Sequence, residues 1–162
     1  REEEGLTGSE RFASLHAGDN ITAVLNMDCV AFSNHAPGSQ SAPPGLDLRS
    51  VGDFLAVLAS DAGVRPLSQV ARLAPQLPRP VDMLGLIAPG DGHNAGAAAF
   101  LRSDHAPFWR RGTPALFFTD TANFRNPNYH KESDLPDTLD YDFLARSAGP
   151  IIAAAAALAE EP

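Results

Sequence analysis

The sequence predicts an α/β domain built in layers, in which strands and helices alternate along the chain. Short apolar segments with strand character recur between segments with helical or turn character, as in layered α/β domains. Of the 162 residues, 44% are hydrophobic, which is enough to form a buried core. A chain of this length ordinarily forms one domain.

The beginning of the chain predicts a helix, a strand and a loop. "SERFASLHA" at 9–17 has the composition of a short helix, with Ser9 as a candidate N-cap. "NITAVLNMDCVAF" at 20–32 is apolar and β-branched, so we predict a buried strand. Glycine, proline and serine indicate a loop at 37–47.

The middle of the chain predicts a helix followed by a segment that prolines interrupt. Apolar residues show helical spacing in "LRSVGDFLAVLASDAG", so we predict a helix at 48–63 that ends at Gly63. Four prolines within 64–80 exclude one long helix there. "MLGLIAP" at 83–89 is a short apolar strand candidate.

The end of the chain predicts a turn, a strand, a polar loop and a helix. "DHAPFWRRG" indicates a turn or short helix, and "PALFFTD" indicates a second buried strand. "NFRNPNYHKESDLPDT" at 123–138 is a long polar loop. The last segment, 139–161, is predicted to be helical with a kink at Pro150, and its apolar run is expected to pack on the domain.

Charge and composition exclude several classes of protein. The formal net charge is −8 and no basic stripe is present, which excludes an ordinary nucleic-acid-binding surface. The single cysteine, Cys29, excludes an internal disulfide. The most apolar run, 151–159, is too short to span a membrane, so we predict no membrane span.

Three places carry residues that metal sites use. Glu2, Glu3 and Glu4 precede a glycine-rich turn, Asp28 interrupts the apolar strand, and His130 lies in the polar loop. A carboxylate in a buried strand costs free energy unless it is paired or binds a metal. Each feature alone also has an ordinary interpretation: a solvated acidic end, a carboxylate that caps a strand, and a loop histidine.

The order of four segments narrows these alternatives. They are "EEEGLTGSERF", "NITAVLNMDCV", "SDHAPFWRRGTPALFFTDT" and "NYHKESDLPDTLDYDFLAR". Together they resemble the zinc aminopeptidase family, which includes bacterial leucyl aminopeptidases, glutamate carboxypeptidases and glutaminyl cyclases. The resemblance implies a three-layer fold, with a mixed sheet flanked by helices, that is incomplete at its N-terminal side.

The resemblance also implies roles for individual residues. The family pattern has one residue between its glutamate pair and the glycine, so Gly5 aligns the pair with Glu2 and Glu3. Glu2 then corresponds to the general base and Glu3 to a metal ligand. Asp28 corresponds to a ligand of the second metal and His130 to a ligand of the first. Oxygen and nitrogen ligands of this kind suit Zn²⁺, although Mn²⁺ and Co²⁺ also accept them.

Further residues are expected around these ligands. Tyr129 is a candidate for the substrate pocket, and Asp104 and His105 are candidates for the pocket or for positions behind the ligands. Phe100, Phe108 and Trp109 form either an apolar wall of the pocket or part of the core; the sequence leaves both readings open.

The family site also needs a His-x-Asp motif and a bridging aspartate upstream of the glutamate pair. This chain begins one residue before that pair, so we interpret residues 1–162 as the C-terminal portion of a single metallopeptidase catalytic domain. Two ligands at one ion and one at the other should not hold a metal pair tightly, because affinity depends on ligand number and preorganisation. We therefore expect this polypeptide alone to be inactive.

The predicted function is a zinc-dependent exopeptidase of aminopeptidase type, which hydrolyses N-terminal peptide bonds with a water activated by two zinc ions. Two alternatives stay open: a noncatalytic binding module that reuses the fold, and a transferase of glutaminyl cyclase type. Self-association through an exposed sheet edge is expected if neighbouring strands are missing. Many members of the resembled family are exported, which favours a periplasmic or extracellular location.

Overall fold

The computed structural model describes residues 2–88, 90 and 98–160, and a mixed four-stranded sheet forms its centre. The strands run in the spatial order β1–β4–β2–β3. β1 is parallel to β4, β2 is parallel to β3, and the central pair β2 and β4 is antiparallel. The strand bounds are Val24–Met27 for β1, Leu55–Ala59 for β2, Met83–Ile87 for β3 and Ala115–Thr119 for β4.

Four α-helices flank the sheet: α1 at Thr7–Leu15, α2 at Val64–Leu73, α3 at Ala106–Trp109 and α4 at Tyr141–Ala159. Side chains of α1 and α3 pack on one face of the sheet, and side chains of α2 and α4 pack on the other. Helices on both faces give the three-layer α/β architecture that the sequence predicted. Short 3₁₀ turns occur at Asp61–Gly63, Ala74–Gln76, Ala98–Leu101, Ala122–Phe124 and Pro136–Thr138.

The two central strands contribute most of the core because every residue of β2 and β4 is buried. Alternate side chains of each strand point to opposite faces of the sheet. Phe117 therefore packs with Trp109 in the core on the α1/α3 side. Leu116 and Phe118 pack with the residues of α2 and α4 on the other side.

The predicted helix at 48–63 is wrong. Residues 55–59 of that segment form β2, and only 61–63 make a helical turn. The helical spacing of Val51, Leu55 and Leu58 misled the prediction, since a central strand is buried on both faces and carries no alternation. A run of buried apolar residues cannot be distinguished from a helix by periodicity alone.

Smaller corrections concern the first helix and the first strand. Ser9 lies inside α1, where its hydroxyl donates to the Leu6 carbonyl oxygen at 3.1 Å, so it is not the N-cap. β1 spans only 24–27 of the predicted 20–32. The loop at 37–47 holds no helix or strand, and the prolines after α2 confine that helix to ten residues, both as predicted.

The C-terminal helix α4 continues through Pro150. Asp140 caps its first turn by accepting a hydrogen bond from the Phe143 backbone N–H at 2.9 Å. Of the described helices, α4 is the one long and apolar enough to cross a membrane by length and composition. Phe143, Ile151 and Ala154 pack in the core with residues of the sheet and α2.

The edges of the described sheet are β1 and β3. Each edge strand has one exposed large apolar residue: Met27 in β1 is 52% exposed, and Ile87 in β3 is 50% exposed. An uncovered edge offers unpaired backbone groups to another strand. Self-association through such an edge stays a prediction.

Replacement of Leu116 by alanine tests the assignment of β4 to the centre of the core. Leu116 is 0% exposed, and its loss should lower the free energy of unfolding by about 2–5 kcal/mol through lost burial and a residual cavity. Urea denaturation of the purified chain measures this change. Leu135→Ala, at a site that is 51% exposed, is the control and should cost much less; equal losses would contradict the assignment.

Candidate active site

The parallel pair β1 and β4 brings the candidate residues to one edge of the sheet. Met27 at the end of β1 pairs in register with Phe118, near the end of β4. Asp28 follows β1 directly, and its backbone N–H donates to the Phe118 carbonyl oxygen at 3.1 Å. Asp120 follows β4 in the same way. The carboxyl ends of these two strands therefore carry one aspartate each, side by side.

A tight turn places the glutamates before α1. The Glu2 carbonyl oxygen accepts hydrogen bonds from the backbone N–H groups of Gly5 and Leu6 at 3.1 and 2.9 Å. Gly5 has a φ of +88° and Leu6 a φ of +61°, a left-handed pair that reverses the chain. The turn fixes the backbone of the glutamate segment at its entry into the helix.

Glu3 and His130 are in direct contact although they are 127 positions apart in the sequence. The Glu3 Oε1 atom lies 2.9 Å from His130 Nε2. The Tyr129 ring stacks on the His130 imidazole with ring centroids 3.9 Å apart. The structure thus joins the N-terminal segment to the polar loop at two of the predicted ligand positions.

The electrostatics of Glu2 show that the other acidic candidates are close to it. Partial burial raises the pKa of Glu2, and the negative charges of Asp28, Glu3 and Asp104 raise it further, while His130 acts in the opposite sense. A carboxylate surrounded by like charges favours a proton or a cation in its vicinity. The structure therefore concentrates negative charge around Glu2.

The donor atoms fit part of a zinc site. Glu3 Oε1 and His130 Nε2 lie 2.9 Å apart, close enough for both atoms to contact one ion. A carboxylate and an imidazole are also the donor types that zinc binds. No three His, Cys, Asp or Glu side chains converge as a metal-binding group within residues 2–88, 90 and 98–160. These residues thus offer a partial donor set.

A cavity opens beside these residues and is lined by both Asp28 and Tyr129. Its wall is mainly apolar and comes from the sheet, the loop at 43–48 and the turns at 98–101 and 122–124. The larger apolar side chains are those of Leu46, Leu48, Leu58, Leu86, Phe100, Phe117 and Phe124. Of the three aromatic residues named as wall or core, Phe100 lines the cavity. Phe108 and Trp109 are in the core.

His105 lies in the core and has no surface exposed. Its ring stacks on Phe117 with centroids 4.3 Å apart and meets Trp109 edge-on at 4.4 Å. Nε2 lies 2.6 Å from the Phe100 carbonyl oxygen, so Nε2 carries the proton and donates. Nδ1 then accepts from the amide of Asn26, two residues before Asp28 in the chain. His105 is therefore connected to β1, and it also packs on Phe117, which lines the cavity.

Asp120 holds together the two loops that carry Asp28 and His130, and sequence reasoning missed it. One carboxylate oxygen accepts the backbone N–H groups of Ala31 and Phe32 at 3.1 and 2.8 Å, and the other accepts that of Ala122 at 2.9 Å. Burial raises the pKa of Asp120, and these three hydrogen bonds oppose the rise. Its place directly after a buried strand, like that of Asp28, was the available signal.

Arg125 is a buried cation next to this junction. Its Nε donates to Gln40 Oε1 at 2.8 Å and Nη1 donates to the Phe32 carbonyl oxygen at 3.2 Å. The guanidinium lies over the Phe54 ring, 4.6 Å from its centroid, and burial lowers the Arg125 pKa to about 10. Gly52 is so close that a Cβ there would come within 2.8 Å of the arginine side chain.

Cys29 does not have the environment of a nucleophile. Burial, with the negative charge of Asp120 and Asp28, raises the pKa of its thiol, which keeps it protonated. The thiol lies 3.4 Å from Asp28 Oδ1, to which it donates.

The profile of peptidase family M28 matches residues 1–75 and 82–155. The chain therefore belongs to this peptidase family, and the resemblance to zinc aminopeptidases carried by the four motifs is confirmed. The solved structures that it resembles include the LapA aminopeptidase of Legionella pneumophila, with a TM-score of 0.68 and 25% identity over 100% of this chain and 38% of LapA. A second LapA crystal structure matches with a TM-score of 0.66 and 25% identity, over 99% of this chain and 38% of LapA.

A curated relative is the uncharacterized protein YfbL of Escherichia coli strain K12. It is 27% identical over 149 residues, which cover 88% of this chain and 44% of YfbL. The chain thus spans less than half the length of these relatives.

Replacement of Asp120 by asparagine tests the role of this carboxylate in the fold. The amide nitrogen would face backbone N–H groups and leave them without an acceptor, so the free energy of unfolding should fall by about 1–3 kcal/mol. Asp140→Asn is the matched control, since asparagine caps a helix as well as aspartate does. Denaturation measures both variants, and hydrogen exchange of the Phe32 amide reports the local effect. Equal small losses would contradict the assignment.

The burial of His105 predicts a pH-dependent stability. Burial lowers the pKa of His105 from 6.5 to about 4, so the folded protein keeps it neutral while the unfolded chain takes up a proton below pH 6.5. The contribution of neutral His105 to the free energy of unfolding is complete above pH 6.5. It is lost as the pH falls towards 4, and the loss is about 3 kcal/mol. Urea denaturation should give a smaller difference in the free energy of unfolding between the wild type and His105→Gln at pH 4 than at pH 7. A constant difference would argue against a neutral buried imidazole.

Proposed function

We propose that the protein containing this chain is a metal-dependent exopeptidase of aminopeptidase type, and that residues 1–162 form the C-terminal portion of its single catalytic domain. The observation that carries this proposal is the contact of Glu3 with His130 at 2.9 Å, next to Glu2 and Asp28. Membership of a peptidase family and likeness to LapA support the reaction class.

In this proposal the four residues have distinct tasks. Glu3 and His130 would hold one zinc ion and Asp28 a second, together with ligands from outside this set. The ions, when bound, polarise the peptide carbonyl and lower the pKa of the attacking water. Glu2 takes the proton from that water and passes it to the leaving amine.

The surroundings of these residues suit the end of a peptide. The acidic groups around Glu2 attract a free ammonium group, which an aminopeptidase substrate carries at its first residue. The cavity lined by Asp28 and Tyr129 would take the side chain of that residue on its apolar wall. Asp104 would add to the negative charge, and His105 would support β1 from the core.

The isolated chain is proposed to be inactive because its own donors form an incomplete set. The side chains of Glu3 and His130 are 72% and 53% exposed, and two exposed ligands hold zinc weakly without further ligands. A transferase of glutaminyl cyclase type and a noncatalytic binding module remain the alternatives, and hydrolysis separates both from the proposed activity.

Metal dependence can be tested on the complete natural protein and on the isolated chain. The complete protein should hydrolyse leucine p-nitroanilide, lose activity to a chelator and recover it with Zn²⁺. His130→Gln should weaken zinc binding by at least about 100-fold, since even partners of metal ligands contribute about 10- to 100-fold. Elemental analysis after dialysis should find less than one zinc per isolated chain.

The matched control is His35→Gln, because His35 is also an exposed histidine near a carboxylate, 3.8 Å from Asp53. This variant should leave zinc binding and hydrolysis unchanged. Chelator-resistant hydrolysis would refute the proposed metal dependence, and zinc binding unaffected by His130→Gln would refute the ligand assignment.

A further inference from the structure

We propose that Arg102 binds a carboxylate of the peptide substrate and thereby determines which peptides the cavity beside Asp28 accepts. This inference rests on the proposed function and adds a substrate class to it. A substrate carboxylate has two sources in a peptide: the side chain of an acidic first residue, or the free C-terminus of a dipeptide. Both present the same planar anion to a guanidinium.

The position of Arg102 connects it to the candidate active site. Arg102 lines the same cavity as Asp28 and Tyr129. Its guanidinium carbon lies 5.9 Å from the centroid of the Tyr129 ring, and that ring stacks on His130. The cation is therefore one aromatic ring away from a proposed metal ligand, within reach of the same bound molecule.

The guanidinium is oriented but keeps donors for a ligand. Its Nη1 atom donates to Asn123 Oδ1 at 2.7 Å, which is a neutral partner. In the part of the chain that the structure describes, no carboxylate forms an ion pair with Arg102. Other arginines of the described residues do have carboxylate partners, among them Arg49, Arg79, Arg110, Arg111 and Arg146. A guanidinium has five N–H donors, so one hydrogen bond to Asn123 leaves enough donors for a carboxylate to accept two parallel hydrogen bonds.

The site has negative and positive side chains in different places, which suits a ligand with both an ammonium group and a carboxylate. Negative groups surround Glu2, whereas Arg102 stands at the cavity, whose wall is otherwise mainly apolar. A peptide with an acidic first residue would place its ammonium near the carboxylates and its side-chain methylenes on the apolar wall. Its carboxylate would then meet the exposed guanidinium of Arg102 at the same cavity.

The experiment compares matched substrates with the complete natural protein. Glutamate p-nitroanilide and glutamine p-nitroanilide differ only in the side-chain carboxylate, and Leu-Gly and Leu-glycinamide differ only in the C-terminal carboxylate. We expect kcat/KM to favour the carboxylate member of at least one pair by about 10- to 100-fold. Arg102→Gln should bring that ratio close to one, and Arg102→Lys, which keeps the charge but not the fork, should give an intermediate ratio.

The control is Arg72→Gln, an exposed arginine of α2 that does not line the cavity, and it should leave both ratios unchanged. The pair that responds to Arg102→Gln identifies the source of the carboxylate. Hydrolysis with ratios that Arg102→Gln does not alter would overturn this inference alone. Absence of hydrolysis with every substrate would overturn the proposed function and this inference with it.

Discussion

The carboxylate of Asp120 accepts three backbone N–H groups, and the arrangement of the candidate site depends on this junction. Two of those groups belong to the segment that follows Asp28, and the third belongs to the turn that leads towards His130. A buried carboxylate without such partners would cost several kcal/mol, so the two loops and the aspartate stabilise one another. The sheet alone aligns the strand ends; Asp120 extends that alignment into the loops.

Backbone strain is concentrated in the same loops. Among the described residues, the non-glycine positions with positive φ are Leu6, Cys29, Thr121, Ala122 and His130. His130 is a candidate ligand, and Cys29 directly follows one. Thr121 and Ala122 lie in the turn after Asp120, and Leu6 lies between the glutamates and α1. Such conformations cost about 1–3 kcal/mol each and persist where the surrounding contacts determine them. Gln40, which donates to Thr121 Oγ1 at 2.8 Å and accepts from Arg125, is one of those contacts.

The sequence predicted the layers and the family better than it predicted the interior of the site. β3 and β4 were evident because each is a short apolar run, whereas β2 was taken for a helix because a strand buried on both faces shows no alternation. Glu3 and His130 were connected by motif order, and no local pattern could give their contact. The partners of Asp120 are backbone groups, which have no sequence signature.

His105 shows a second limit of prediction from sequence, because its motif does not reveal how the side chain packs. Its motif suggested a place near the substrate or behind the ligands. The structure shows that it is buried and hydrogen-bonded to Asn26, and its role at the site stays a prediction. A motif indicates that a residue matters to a fold or a site, and only packing distinguishes the two. Arg102 went unnoticed for the opposite reason, since a single exposed arginine has no pattern until a cavity is seen beside it.

The contact between Gly52 and Arg125 has a consequence for how this chain can change in evolution. Any side chain at position 52 would need the space that the arginine now fills, because a Cβ there lies 2.8 Å from atoms of that side chain. A larger residue at 52 therefore requires Arg125 to move or a smaller residue to replace it, and the loss of the arginine would leave the Phe32 carbonyl oxygen without its donor. The two positions form a coupled pair, so substitutions at either should appear together with compensating ones among related sequences.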